Sequence, residues 1–183
     1  MHASTKWLIG IIALMAVIPI IQAILGFPMF LPYEWHKALH IFGAVLLLGN
    51  IIVTGMWMFM AEQTKNEEVI RFSVRAVNWA DVFFTAPGSL LLIVNGLAMA
   101  NTWGGIMNSH WIIAALVLFS LSGIIWIGFL VIIQEKFIKW TWNGTPFPPE
   151  FYTKLHQWYL WGSVATILPV LSMFLMVMKP TLW

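Results

Sequence analysis

The sequence contains no cysteine and few charged residues. The absence of cysteine excludes disulfide bonds, thiolate metal ligands and covalent attachment of a c-type haem. Charged residues make up only 9% of the chain, whereas soluble domains carry about 25%. This scarcity excludes an ordinary water-soluble surface. Any cofactor would have to be held by histidine, methionine, carboxylate or packing.

Long apolar runs occupy most of the chain. Hydrophobic residues account for 61% of its 183 residues, and a membrane helix needs about 20 apolar residues in sequence. Five stretches meet that length: about 7–25, 37–61, 80–100, 111–133 and 157–178. We therefore predict an all-α integral membrane protein with a single membrane domain, 1–183. Spans 2–5 are predicted to form a four-helix core bundle, and span 1, which has few polar residues, is predicted to be peripheral.

Basic residues are divided unequally between the two sides that five spans would create. Seven lie on the side of the N-terminus and two on the other side. The seven are Lys6, Lys65, Arg71, Arg75, Lys136, Lys139 and Lys154, and the two are Lys37 and Lys179. Because basic loops stay in the cytoplasm, we predict a multi-pass protein of the bacterial inner (plasma) membrane with its N-terminus inside and its C-terminus outside. The sequence has no clustered basic patch of the kind that binds nucleic acid, so we predict no nucleic-acid partner.

Polar residues recur at helical spacing in three of the predicted spans. The spacing alternates between three and four residues, which places each set on one helix face. The sets are His36, His40, Gly43, Leu47, Asn50 and Thr54; Asp81, Thr85, Gly88, Leu92, Asn95 and Met99; and His156, Tyr159, Ser163 and Thr166. Polar side chains facing lipid are costly, so we expect these stripes to face each other or a cavity.

The helical rise separates the polar residues into two levels. At about 1.5 Å per residue, four of them should meet near the outer face: His36, His40, Asn95 and His110. Asp81 and His156 begin predicted spans on the cytoplasmic side. One compact site therefore cannot use both groups.

The outer group suggests a haem b with imidazole as axial ligand. His40 is the best candidate for the iron, and His110, from another helix, could supply the opposite face. His36 would then contact a propionate or lie at the surface, and Asn95 would form a hydrogen bond with a residue that holds the haem. A rival interpretation is a copper or zinc site built from His36, His40 and His110. In the simplest interpretation the histidines only pack and form hydrogen bonds.

The inner group suggests a proton entry or a site for an anionic group such as a propionate or a quinone head. It would combine Asp81 with Arg71 or Arg75, and His156 with Tyr159. A simpler interpretation is that Asp81 opens a helix, where the dipole favours a carboxylate, and that a nearby arginine neutralises it.

Three motifs carry a resemblance to known membrane families. They are "KALHIFGAVLLLGN" (37–50), "RFSVRAVNWADVFFTAPG" (71–88) and "NGLAMA" (95–100). Together they resemble a bacterial family of uncharacterised integral membrane proteins. More distantly, they are similar to the superfamily that holds copper-resistance protein D and the HemJ-type protoporphyrinogen oxidase. The similarity is clearest over about residues 35–135.

The resemblance implies a four-helix core that binds haem b through His40. The oxidases carry a lysine near the start of the helix after "NGLAMA", where this sequence has His110 and Trp111, so the oxidase activity is not carried over. Our leading hypothesis is a haem b membrane redox protein that exchanges electrons with a quinol or a membrane partner. The alternatives are a non-catalytic accessory subunit of a larger membrane complex and a copper- or zinc-binding membrane protein.

Overall fold

A computed structural model describes residues 29–142 and 146–182, together with the isolated positions Lys6 and Gly10. In this part of the chain, four helices are long and apolar enough to cross a membrane. They are α1 (Tyr33–Gln63), α2 (Glu67–Trp103), α3 (His110–Trp142) and α4 (Phe151–Met178). The all-α prediction is confirmed. The first predicted span, 7–25, lies almost entirely outside the described residues, so the count of five spans and the sidedness stay predictions.

We call the end of the bundle where α1 ends and α2 begins the inner end, after its predicted side. It extends beyond the predicted spans. The segment 67–79 lies outside the predicted span 80–100 but forms the first turns of α2. The Asn66 side chain caps this helix by accepting a hydrogen bond from the Glu68 amide at 2.9 Å. Ile70, Val74 and Val77 follow at helical spacing and are buried. The segment is therefore an amphipathic helix continuous with the membrane span.

Two helices contain a π-helical turn. In α2 it covers Asp81–Thr85, and in α3 it covers Trp126–Leu130. The turn in α2 lies just before Pro87, which has no amide hydrogen to donate within the helix. Such wide turns displace the register of a helix and are frequent at functional sites. The side chains of Asp81 and Trp126 interact, which shows that the two turns lie near one another.

The helices form two antiparallel pairs, α1 with α2 and α3 with α4. One hydrophobic cluster joins all four helices, and its members lie on their inner halves. Its largest fully buried members include Met58, Ile70, Phe137, Phe151 and Leu155. The two pairs therefore meet around the inner ends of the helices.

The α1–α2 pair is held at short range by two glycines. A Cβ atom on Gly43 would lie 2.7 Å from the Gly88 carbonyl oxygen, and one on Gly88 would lie 2.9 Å from the Gly43 carbonyl oxygen. Close backbone approach through small residues is a common way to pack membrane helices. It brings the two predicted polar stripes of α1 and α2 face to face.

Candidate functional site

A buried carboxyl group lies near the middle of the bundle. Asp81 is 4% exposed. Its Oδ1 atom accepts hydrogen bonds from Asn50 Nδ2 at 3.2 Å and from Thr85 Oγ1 at 2.8 Å. Its Oδ2 atom accepts a hydrogen bond from Gln134 Nε2 at 2.8 Å. Three helices thus contribute to one polar cluster, which we call the Asp81 cluster (Asn50, Asp81, Thr85 and Gln134).

The position of Asp81 differs from the one expected from the sequence. Asp81 does not open a helix at the cytoplasmic surface, because α2 already begins at Glu67. The 14 residues between them correspond to about 21 Å along the axis. The carboxyl group is therefore in the interior of the helix, where the dipole of a helix start does not act on it. The interpretation of Asp81 as a helix-opening residue is wrong.

The two arginines that were expected beside Asp81 contact other groups. Arg71 Nη2 lies 2.8 Å from Glu67 Oε2, and its guanidinium lies over the Phe147 ring at 4.5 Å. Arg75 Nη2 donates a hydrogen bond to the Thr141 carbonyl oxygen. Both arginines thus connect the start of α2 to the end of α3. The hydrogen bonds to the Asp81 carboxyl group come instead from uncharged side chains.

A cavity of about 750 Å³ adjoins the Asp81 cluster. All four helices line it, and its walls are mainly apolar, with Leu47, Ile93, Phe119 and Ile127 among them. Its polar lining residues include Thr54, Asp81, Thr85, Ser89, Gln134 and Tyr159. A volume of this size is within the range of about 300–1,000 Å³ found for small-molecule sites. The cavity can therefore hold a molecule with an apolar body and a polar head.

The predicted stripe on span 5 faces this cavity in part. Tyr159, Ser163 and Thr166 line the cavity. His156 does not: its side chain is 68% exposed, and its Nε2 atom lies 3.3 Å from Glu62 Oε1. The structure thus separates His156 from Asp81, and the predicted inner group does not form one site.

In the outer group, His36 is fully buried and uses both ring nitrogens. Its Nδ1 atom donates a hydrogen bond to Asn95 Oδ1 at 2.8 Å, and its Nε2 atom accepts one from the Leu31 amide at 3.3 Å. The Phe30 ring contacts it edge-on, with 4.5 Å between ring centroids. The contact between His36 and Asn95 therefore joins the outer ends of α1 and α2. Neither ring nitrogen of His36 is available to a metal ion.

His40 has a different environment. Its Nδ1 atom donates a hydrogen bond to the Leu92 carbonyl oxygen at 3.0 Å. Its ring packs on Gly96, where a Cβ atom would lie 2.9 Å from the ring carbon Cε1. In the described part of the chain, no hydrogen bond is formed by its Nε2 atom. This is the tautomer that a metal-ligating histidine adopts when a backbone carbonyl orients it.

A three-histidine metal site does not form among the described residues. His110 begins α3 and is partly buried. Within residues 29–142 and 146–182, no group of three or more histidine, aspartate or glutamate side chains is arranged to hold a metal ion. Of the outer group, the structure brings His36 and Asn95 into contact, while His40 contacts the Leu92 carbonyl oxygen and Gly96 of α2.

Three residues of the Asp81 cluster or the cavity wall did not stand out in the sequence as site residues. Asn50 belonged to a predicted stripe but was assigned no role, and Gln134 lay one residue beyond the predicted span 111–133. Trp158 was assigned no role from the sequence. The signal for Gln134 was available, because it follows a long apolar run and precedes an amphipathic turn in which Phe137 and Ile138 are buried.

The fold and the cavity define a multi-pass helical membrane protein. More specifically, the chain matches the family described as "Predicted integral membrane protein (DUF2269)" over residues 34–180, and it belongs to that family. No curated protein and no solved structure matches it. The predicted membership of an integral membrane protein family is confirmed. The wider similarity to copper-resistance protein D and the HemJ-type oxidase has no support from these comparisons.

Proposed function

We propose that this protein binds a lipid-soluble molecule with a polar head, of the quinone type, in the cavity beside Asp81. The observation that carries the proposal is a cavity of about 750 Å³ that combines apolar walls with a buried carboxyl cluster. Ionisable residues inside membrane spans are rare and usually functional. A bound quinone would connect the protein to membrane redox chemistry, in keeping with the electron-transfer hypothesis.

The lining of the cavity and its place among the membrane helices favour a lipid-soluble ligand over a water-soluble one. The walls come from transmembrane helices, and the polar groups are concentrated around Asp81 and the neighbouring Gln134. A molecule that reaches the cavity from the bilayer keeps its chain in apolar surroundings and loses only the hydration of its head. The polar cluster can replace those lost hydrogen bonds.

The test is equilibrium binding of a radiolabelled benzoquinone with a ten-carbon chain to the protein in detergent. Gly162→Leu should fill the cavity, because Gly162 lines it and a Cβ atom there has no neighbour within 4 Å. Gly49→Leu is the matched control, because Gly49 is equally open but lies outside the cavity. We expect Gly162→Leu to weaken binding at least about tenfold, with little change in the control.

Two results would contradict the proposal. The first is that the wild-type protein binds no more quinone than empty detergent micelles do. The second is that Gly162→Leu and Gly49→Leu bind quinone with the same affinity. Size-exclusion elution of both variants as monodisperse species checks that each is folded.

Haem b binding is a second candidate, and the tautomer of His40 favours it. His40 would hold the haem iron through Nε2, because Nδ1 donates a hydrogen bond to the Leu92 carbonyl oxygen. His36 does not fit as a ligand, because Asn95 and Leu31 occupy its nitrogens. His110 stays the proposed second ligand. When bound, a haem would supply one-electron redox chemistry, while the residues of this chain orient the His40 ring.

Visible spectroscopy tests this candidate. A reduced-minus-oxidised spectrum of the purified protein should contain a b-type α band that is lost in His40→Ala. The control is His156→Ala, because that side chain is exposed and far along α4 from the outer end. A colourless wild-type protein, or an α band that survives in His40→Ala, would exclude His40 as a haem ligand. A colourless protein that contains copper or zinc would favour the metal alternative, and one that co-purifies with a larger complex would favour the accessory role.

A further inference from the structure

We propose that Gln134 and Trp158 are the headgroup contacts of the cavity and that they select a ligand with a hydroxyl group. For a quinone-type ligand, this means that the reduced quinol binds more tightly than the quinone. The inference rests on the proposed function, and it specifies which chemical form the cavity recognises.

Several polar groups of the cavity wall are already hydrogen-bonded within the protein. The three buried threonine and serine residues of the wall each donate a hydrogen bond. Thr54 donates to the Asn50 carbonyl oxygen at 2.6 Å, Thr85 to Asp81 Oδ1 at 2.8 Å, and Ser89 to the Thr85 carbonyl oxygen at 2.8 Å. Both oxygens of Asp81 also accept hydrogen bonds. The hydroxyl hydrogen bonds are internal to α1 or α2, whereas those of Asp81 with Asn50 and Gln134 join α2 to α1 and α3.

The buried Oε1 atom of Gln134 and Nε1 atom of Trp158, both on cavity-lining side chains, have no hydrogen-bond partner among the described residues. A third such atom, the Tyr159 hydroxyl, lies by the Glu62 carboxylate, which interacts with it. Gln134 and Trp158 are 5% and 8% exposed. Buried polar atoms are nearly always hydrogen-bonded, so an unpaired one requires an explanation. A ligand in the adjoining cavity provides that explanation for both atoms.

The orientation of the Gln134 amide is set by Asp81. Gln134 Nε2 donates to Asp81 Oδ2 at 2.8 Å, and reversing the amide would place two oxygen acceptors against each other. The Oε1 atom is therefore held as a free acceptor. Asp81 acts here as a positioning residue, because it fixes the amide that contacts the ligand.

The two unpaired atoms lie on neighbouring parts of the bundle. Trp158 of α4 packs in the same hydrophobic cluster as Leu130 and Ile133, which are close to Gln134 along α3. One atom is an acceptor and the other is an N–H donor. Together they match a group that both donates and accepts a hydrogen bond.

A hydroxyl group has this property, and a carbonyl group lacks it. The oxygen of a quinol can accept from the Trp158 indole while its hydrogen is donated to Gln134 Oε1. A quinone carbonyl can accept from Trp158 but leaves Gln134 Oε1 buried and unpaired. A site built to bind a hydroxyl discriminates against an analogue without it, because the buried acceptor then loses its partner.

The experiment compares three ligands with the same ten-carbon chain under anaerobic conditions: the quinol, the quinone and the dimethyl ether of the quinol. For the wild-type protein we expect the quinol to bind at least about tenfold more tightly than the other two. The ether controls for ring size and reduction state, because it can accept but not donate. Equal affinity for quinol and ether would overturn the inference even if no variant could be purified.

Two variants assign the contacts. Gln134→Met keeps the length of the side chain without its acceptor, so the preference for quinol over quinone should fall to about twofold or less. Trp158→Phe removes the donor that both ligands use, so both should bind more weakly while the preference for quinol remains. An unchanged preference in Gln134→Met would overturn the assignment.

This experiment separates the inference from the proposed function. If the wild-type protein binds neither quinol nor quinone, the proposed function is wrong. If it binds both equally, the cavity is a quinone-type site and only the selection of the hydroxyl is wrong.

Discussion

The α1–α2 interface contains two polar regions that differ in what surrounds them. In the outer region, His36 and Asn95 contact each other at 2.8 Å, and both belong to the same helix pair. In the inner region, the Asp81 cluster also recruits Gln134 from α3 and adjoins a cavity of about 750 Å³. The outer contact is complete within the protein, whereas the inner one leaves buried atoms unpaired. Buried polarity alone therefore does not distinguish a stabilising contact from a candidate ligand site, whereas unpaired polar atoms do.

The largest effect on stability should come from removing the carboxyl group of the inner region. Asp81→Ala would leave the donors of Asn50, Thr85 and Gln134 without their common acceptor. We expect the free energy of unfolding to fall by about 2–4 kcal/mol, measured by denaturant titration in detergent. Asp81→Asn should lose less, because one oxygen acceptor remains. Equal losses in the two variants would show that the hydrogen bonds to the carboxyl group contribute little.

The contact between Gly43 and Gly88 should come next. A Cβ atom added at Gly43 would lie 2.7 Å from a backbone oxygen that cannot turn away. Gly43→Ala should therefore push α1 and α2 apart and reduce stability by about 1–3 kcal/mol. Gly49→Ala is the control, since no atom lies within 4 Å of its added Cβ. If Gly43→Ala and Gly49→Ala had the same free energy of unfolding, the close packing of α1 and α2 at Gly43 and Gly88 would be contradicted.

The outer region offers the sharpest test of the comparison. His36→Ala removes the partners of Asn95 Oδ1 and the Leu31 amide, so we expect a loss of about 1–2 kcal/mol in unfolding free energy. Affinity for the quinol should stay within about twofold of wild type, because His36 does not line the cavity. Binding that falls as steeply as in Gly162→Leu would mean that the two regions are coupled.

The smallest effect is expected at His156, which pairs with Glu62. The His156 Nε2 and Glu62 Oε1 atoms are 3.3 Å apart, and the side chains are 68% and 16% exposed. Because the His156 ring is open to its surroundings, the pair should contribute about 0–1 kcal/mol, so His156→Ala should change stability by less than about 1 kcal/mol. A thermal unfolding scan beside the wild type provides the measurement. A large loss would give His156 a structural role that its exposure does not suggest.

The sequence was most informative where helical spacing and close packing act together. The predicted stripes on α1 and α2 meet, as the contacts of His36 with Asn95 and of Asn50 with Asp81 show. Hydropathy also identified the four described membrane helices, although it placed the start of α2 too late. A span predicted from hydropathy excludes the charged residues that flank it. The helix nevertheless continues through them, because the segment with Ile70 and Val74 is amphipathic and buries its apolar face.

The partners within the candidate site were harder to predict. Asp81 was paired with Arg71 or Arg75 because they are close in sequence, but Asp81 contacts Gln134, 53 residues away on another helix. The histidines were grouped by depth alone, and depth does not specify the direction in which a ring points. His36 and His40 are one turn apart on the same face, yet both ring nitrogens of His36 are hydrogen-bonded, whereas His40 uses only Nδ1, which donates to the Leu92 carbonyl oxygen.

The sequence by itself determined that this chain is helical and enters the membrane, because backbone hydrogen bonds must be satisfied locally in lipid and long apolar runs can do so only as helices. It also determined which faces of α1 and α2 are polar, because that depends only on spacing along a helix. Only the tertiary structure decided which polar atoms are satisfied and where a cavity remains. Both depend on how two helix pairs pack together, and no periodicity within a single helix encodes that arrangement.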